Sequence, residues 1–172
     1  MTRAEWVEWD TRPTTPPAAV RLITIDAGNH REVASLRTHA SQERFVAPVS
    51  HSFGDALCPP LVEGAPMVPW LRAAEADGGM VGFVMLARPS DVHPEPYLWR
   101  LLVDRRHQRR GVGRRILDLV VDECRALGAE SLVTSWREGK GTPAPFYEHY
   151  GFRTTGRRLD GETEARLAFE DA

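Results

Sequence analysis

Between residues 97 and 124 the apolar positions change period. Tyr97, Trp99, Leu101 and Val103 alternate along one face of a stretch whose other face carries Leu98 and Leu102. A strand apolar on both faces is ordinarily an interior one. Further on, Val112, Ile116, Val120 and Cys124 recur every fourth residue with Leu117 and Val121 beside them, and Gly128 stands where a helix should end. The pattern predicts a central strand, a loop and an amphipathic helix.

The flanking patterns extend this order. Val20 to Asp26 alternates and predicts a first strand. A short helix follows from Asn29, a residue suited to an N-cap. Trp70 to Glu75 and Met80 to Ala87, around Asp77-Gly78-Gly79, predict a β-hairpin. Ser131 to Trp136 predicts a strand, Ala144 to Tyr150 a helix opened by Pro143, and Phe152 to Arg158 with Thr163 to Phe169 a closing hairpin. From Ser41 to Ala65, Phe45, Val46, Val49, Phe53 and Leu57 suggest helical pieces broken by Pro48, Pro59 and Pro60. The expected order is β-α-α-β-β-β-α-β-α-β-β. Residues 1–18 read as an extension, with proline-rich Thr11 to Pro17 as connector and Trp6 and Trp9 as packing residues, and residues 19–172 as one domain.

Charge changes the picture at one place. Six arginines fall within residues 105–115, so a segment of +6 in a chain of −2 leaves −8 for the rest. Cations at a helix N-terminus oppose the macrodipole, so stability alone gives little reason for them. A strand feeding a glycine-containing loop and then a helix offers unpaired N–H groups to an anion. The segment is therefore expected to meet a strongly anionic partner. Nucleic acid is an unfavoured partner, because the remainder is acidic and basic or aromatic residues are not spread over a surface.

Gln108-Arg109-Arg110-Gly111-Val112-Gly113 resembles the Q/R-x-x-G-x-G/A motif of the GNAT superfamily of N-acetyltransferases. Phe146-Tyr147-Glu148-His149-Tyr150-Gly151-Phe152 is similar to the family's F/L-Y-x-x-x-G-F signature. Leu98 to Asp104 and Asp160-Gly161-Glu162 look most like bacterial polyamine (spermidine/spermine) acetyltransferases and their relatives. The resemblance implies an α/β GNAT fold: a mixed, mostly antiparallel sheet of six to seven strands, flanked by about four helices and splayed between the fourth and fifth strands. It implies acetyl-CoA as cosubstrate, with no metal. Its pyrophosphate would lie against Gln108, Arg109, Arg110, Gly111, Val112, Gly113 and Arg114, and its pantetheine arm along the backbone of Leu101 and Val103. Tyr147 aligns with the tyrosine that protonates the departing thiolate, with Tyr150 as fallback.

The acceptor implied is a small-molecule primary amine, polyamine-like first, with an antibiotic or protein amine as alternatives. Trp99 stands where some polyamine enzymes have a glutamate base, and Arg100 beside it cannot serve as one. Glu43, His51, Asp55 and Glu162 remain for a water relay, and Trp99 and Glu162 are the expected acceptor contacts. A non-catalytic acyl-CoA sensor is the other class of function to test, since fold does not fix function. A homodimer is a state that many relatives adopt.

Compartment follows from little. Cys58 and Cys124 show no metal-type spacing, and residues 1–10 carry Arg3, Glu5, Glu8 and Asp10 around no apolar core. No apolar run approaches the ~20 residues of a membrane span. A cytoplasmic protein without membrane attachment is expected.

Overall fold

The computed structural model describes residues 13–169; Trp6 and Trp9 lie outside the described residues. Strand β1 (Arg21–Ile23) is followed by helix α1 (His30–Ser35), a 3₁₀ turn (Ala40–Gln42) and helix α2 (Val49–Leu57). A two-strand hairpin, β2 (Leu61–Val62) with β3 (Ala65–Pro66), precedes β4 (Val68–Ala76), β5 (Gly79–Arg88) and β6 (Tyr97–Val103). Then come α3 (Val112–Ala126), β7 (Ser131–Trp136), α4 (Ala144–Tyr150), β8 (Arg153–Leu159) and β9 (Glu162–Ala168).

Seven strands form one sheet in the order β1-β4-β5-β6-β7-β9-β8. Every neighbouring pair is antiparallel except β6 with β7. This is the GNAT α/β fold, and the expected element order holds with the β2–β3 hairpin added. On one face, Val112, Ile116, Leu117 and Val120 of α3 pack with Leu98, Leu132 and Trp136 of the sheet and Tyr147 of α4. On the other, Val33 of α1 and Val49 of α2 pack with Leu36, Phe83, Met85 and Leu102. Each helix thus buries its apolar stripe against a sheet covered on both sides over its β4–β6 half, as a core strand apolar on both faces requires.

Three expectations need correction. The first strand stops at Ile23, because the Asn29 side chain accepts the Asp26 N–H and donates to the Thr24 carbonyl, closing a turn. Asn29 does stand at the N-cap of α1, but its side chain makes no cap bond. The alternation along β6 also breaks. Leu101 pairs with Val84 and Arg100 with Met85, but Leu98 pairs with Leu86, so Trp99 is an extra residue in a β-bulge. A bulge of one residue reverses which face each later side chain takes. Leu98 and Leu102 therefore lie in opposite cores, Leu101 and Val103 turn to the α3 side, and Trp99 joins the α1–α2 side.

Candidate active site

The bulge lies where the sheet opens. Parallel pairing between β6 and β7 covers Tyr97 with Val133 and Leu98 with Thr134, and goes no further. From Arg100 to Val103, β6 keeps its partner β5, while from Trp99 onward its edge toward β7 is free. These strands are the fourth and fifth of the main sheet, where the splay was expected. Unpaired strand edges bind extended chains through main-chain hydrogen bonds. The gap is part of a cleft of about 1350 Å³, larger than the ~300–1,000 Å³ of ordinary small-molecule sites.

At one end of the gap stands the N-terminus of α3. Its N-cap, Gly111, has φ +75° and gives no side-chain bond, and the first turn contains no acidic residue. Arg109 is also left-handed, at φ +61°. Alternating helical and left-handed residues turn successive N–H groups into one concavity, which suits an anion at the positive end of a helix. Gly113 faces the Phe146 ring, which a Cβ there would meet at 3.2 Å. The loop is braced from below. Asp104 is buried and accepts the N–H groups of Arg37 and Arg106 as well as the Arg106 guanidinium. Burial alone would raise its pKa, but these donors hold the carboxyl below its usual range. Gln108 donates to the Val103 carbonyl and to Gln42, tying the loop to the end of β6 and to the 3₁₀ turn.

The six arginines do not act together. Arg109 and Arg114 line the cleft. Arg106 is spent on Asp104, and Arg115 on the carbonyl of Pro17. Arg110 is the clearest departure from expectation. Its buried side chain points away from the cleft, donating to Asp77 at 2.6 Å, to the Thr15 carbonyl at 2.5 Å and to His107 Nδ1 at 2.9 Å. It cannot also reach an anion in the loop. Part of the basic cluster is therefore internal scaffolding that clamps residues 15–17 and the β4–β5 turn onto the loop.

A distinct outcome is expected for each arginine. Arg110→Ala should cost about 1–3 kcal/mol of stability, less than the ~3–5 of a wholly buried pair because the Asp77 side chain is 42% exposed. Its effect on CoA affinity should be smaller than that of Arg109→Ala, which should weaken binding about tenfold. Thermal unfolding and calorimetry on the two proteins separate the roles.

Tyr147 projects from α4 into the same cleft, stacked on Trp136 at 5.7 Å and 8° and edge-on to Phe146 and Phe152. Burial pushes its hydroxyl pKa up, nearby Tyr97 adds to this, and a hydrogen bond with Thr134 takes part of it back. Thr134, the hydroxyl partner of Tyr147, gives its own proton to the Leu98 carbonyl at 3.0 Å. The phenol stays protonated, as an acid must. Tyr150 also lines the cleft, but its hydroxyl donates to Asp118 at 2.8 Å. Its proton is already committed.

Of the other expected site residues, Leu101, Val103, Gln108, Gly111, Val112 and Gly113 line this cleft together with Trp99 and Glu162. Val112 is buried, so its backbone is what it offers. Glu43 and His51 line the cleft too. Asp55 does not: it pairs with Arg100 at 2.6 Å, fastening α2 to β6. Sequence reasoning passed over Tyr97, Thr134 and Ser135 as site residues, all at the point where the strands part. The available signal was a polar pair, Thr134-Ser135, inside a strand otherwise fit for burial.

Among the described residues no helix is long and apolar enough to cross a membrane, and no group of three or more His, Cys, Asp or Glu side chains could hold a metal ion.

Comparison with known proteins fits this geometry. The chain is 32% identical over 135 residues to the probable N-acetyltransferase 14 of Bos taurus, a match covering 76% of this chain and 59% of that protein. The chain thus spans less than two thirds of the length of this curated relative. An acetyltransferase from Thermus thermophilus superposes with a TM-score of 0.69 at 15% identity, covering 90% of this chain and all of the other. The N-acetylglutamate synthase of Neisseria gonorrhoeae, solved with coenzyme A and N-acetyl-glutamate, superposes at 0.65 with 15% identity, over 90% of this chain and 36% of that one. Residues 21–152, which run from β1 through α4, match the sequence profile of the Acetyltransferase (GNAT) family, and the chain belongs to that family.

Proposed function

We propose that the protein transfers the acetyl group of acetyl-CoA to a primary amine of a small molecule. The observation that carries this reading is convergence. The free edge of β6, the uncapped N-terminus of α3 with Arg109 and Arg114, and the protonated hydroxyl of Tyr147 open onto one cleft. The β6 edge suits an extended amide-containing arm, and the helix terminus suits a pyrophosphate. Tyr147 gives the leaving thiolate a proton. The relatives named as N-acetyltransferases support the same chemistry.

A polyamine-like acceptor is favoured by three acidic residues that line the cleft, Glu43, Asp160 and Glu162. A second reading, an amine that also bears an anionic group, is favoured by Arg44, whose guanidinium bonds the Lys140 carbonyl rather than a carboxylate. Thiol release from acetyl-CoA, measured across polyamines, amino acids, aminoglycosides and a peptide, tests both. Turnover fastest with spermidine or spermine is expected, and preference for amino acids would select the second reading. Binding of acetyl-CoA without turnover of any amine would make the chain a sensor.

A further inference from the structure

On the face of the sheet opposite Tyr147 runs a second chain of hydrogen bonds. Thr134 and Ser135 are consecutive in β7, so their side chains take opposite faces. Thr134 meets Tyr147, while Ser135 meets Tyr97 Oη at 2.8 Å and donates to Glu162 Oε2 at 2.6 Å. Since the Ser135 proton goes to the carboxylate, Ser135 Oγ is the acceptor for the Tyr97 hydroxyl. The chain therefore has one direction, Tyr97 to Ser135 to Glu162. Tyr97 lies in the short paired stretch just before the splay, and all three residues line the cleft.

We propose that Tyr97, Ser135 and Glu162 form a proton relay that deprotonates the acceptor ammonium, with Glu162 as the terminal base. The proposal rests on the amine-acetylating reading above. An ammonium proton passes to Tyr97 Oη as the Tyr97 proton moves to Ser135 and the Ser135 proton to Glu162. The glutamic acid then releases it to solvent. The free amine attacks the thioester carbon, so a C–N bond forms and the C–S bond breaks. The thiolate takes its proton from Tyr147, which regains one from the nitrogen of the adduct. The sum is ammonium plus thioester giving amide, thiol and one proton.

The charges around the chain suit this traffic. Arg137 of the β7 end donates to Glu162 Oε1 at 3.3 Å, orienting the carboxylate and leaving Oε2 to Ser135. Arg100 and Glu164 also face Tyr97, and Glu164 is itself held by Arg157 and Thr155 of β8. Across the cleft the segment before and into α2 brings Glu43, Arg44 and His51. Glu162 is only partly buried, so water can reload it.

The test is the pH profile of kcat/KM for Ser135→Ala, with Ser135→Thr and Tyr97→Phe beside it. Without the relay the enzyme depends on amine already free in solution. Ser135→Ala should lose about 10²-fold at neutral pH, and the loss should shrink as pH rises toward the pKa of the amine. Ser135→Thr, which keeps a hydroxyl, should recover most of the rate, and Tyr97→Phe should follow Ser135→Ala. An equal loss at every pH, or a profile superposing on that of the parent protein, would overturn the relay alone. A parent protein that acetylates no amine would overturn the relay and the acetyltransferase reading together.

Discussion

Tyr147→Phe is expected to lower kcat by about 10²–10⁴-fold while acetyl-CoA binding stays nearly intact. The structure supplies the reason that the effect should be confined to turnover. The ring fills a slot between Trp136, Phe146 and Phe152, and phenylalanine preserves its volume and stacking. Only the hydroxyl is lost, and the bond lost with it is the one to Thr134, whose proton remains bound to the Leu98 carbonyl. Stability should change by about 1 kcal/mol or less. Burial raises the pKa of this phenol, so the wild-type hydroxyl remains a donor throughout the neutral range. The activity loss should accordingly show no titration between about pH 6 and 9. Stopped-flow turnover with calorimetric binding distinguishes the outcomes. Full activity in a folded Tyr147→Phe protein would remove the acid assignment, and Tyr150, engaged by Asp118, would be a poor replacement.

Gly111→Val should abolish most affinity for CoA, by at least about tenfold, without unfolding the chain. A Cβ at this position meets nothing within 4 Å, so there is no clash to collapse the core. The cost lies in the backbone. At φ +75° a β-branched residue is strained by about 1–2 kcal/mol, and relief of that strain reshapes the concavity of N–H groups at the start of α3. What strain does not reshape, the valine methyls obstruct. Gly64→Val supplies the control: it has φ +83° with equally open surroundings, but sits in the β2–β3 hairpin away from the cleft. Both variants should lose a few degrees of thermal stability, and only Gly111→Val should lose affinity. Equal calorimetric affinities for the two would detach the anion site from this loop.

The fate of the arginine cluster shows how far local reading reaches. Density of charge marked the loop correctly as unusual, and Arg109 and Arg114 do line the cleft. Arg110, in the middle of the motif, is buried against Asp77 and Thr15. Those partners are 33 and 95 residues distant, so no spacing within the loop could announce them. The same limit applies to the candidate bases: Glu43, His51, Asp55 and Glu162 could not be ranked from sequence, and only packing commits Asp55 to Arg100 and aims Ser135 at Glu162.

Periodicity and short-range motif were enough for α3, β7 and α4, which occur at the residues their apolar spacing, Gly128 and Pro143 predict. Such elements are specified by neighbours within a turn or a strand, where sequence distance and spatial distance agree. The sequence also carried the family, through two motifs whose spacing is itself local. Tertiary structure decided what depends on register and on strands meeting. A one-residue bulge at Trp99 reverses the faces of β6. The parting of β6 from β7 after Leu98 exposes an edge, and it leaves Tyr97 and Tyr147 serving opposite faces of the sheet through adjacent residues of β7. Side chains alternate with a period of two, so an inserted residue changes every later contact while barely altering the pattern of letters.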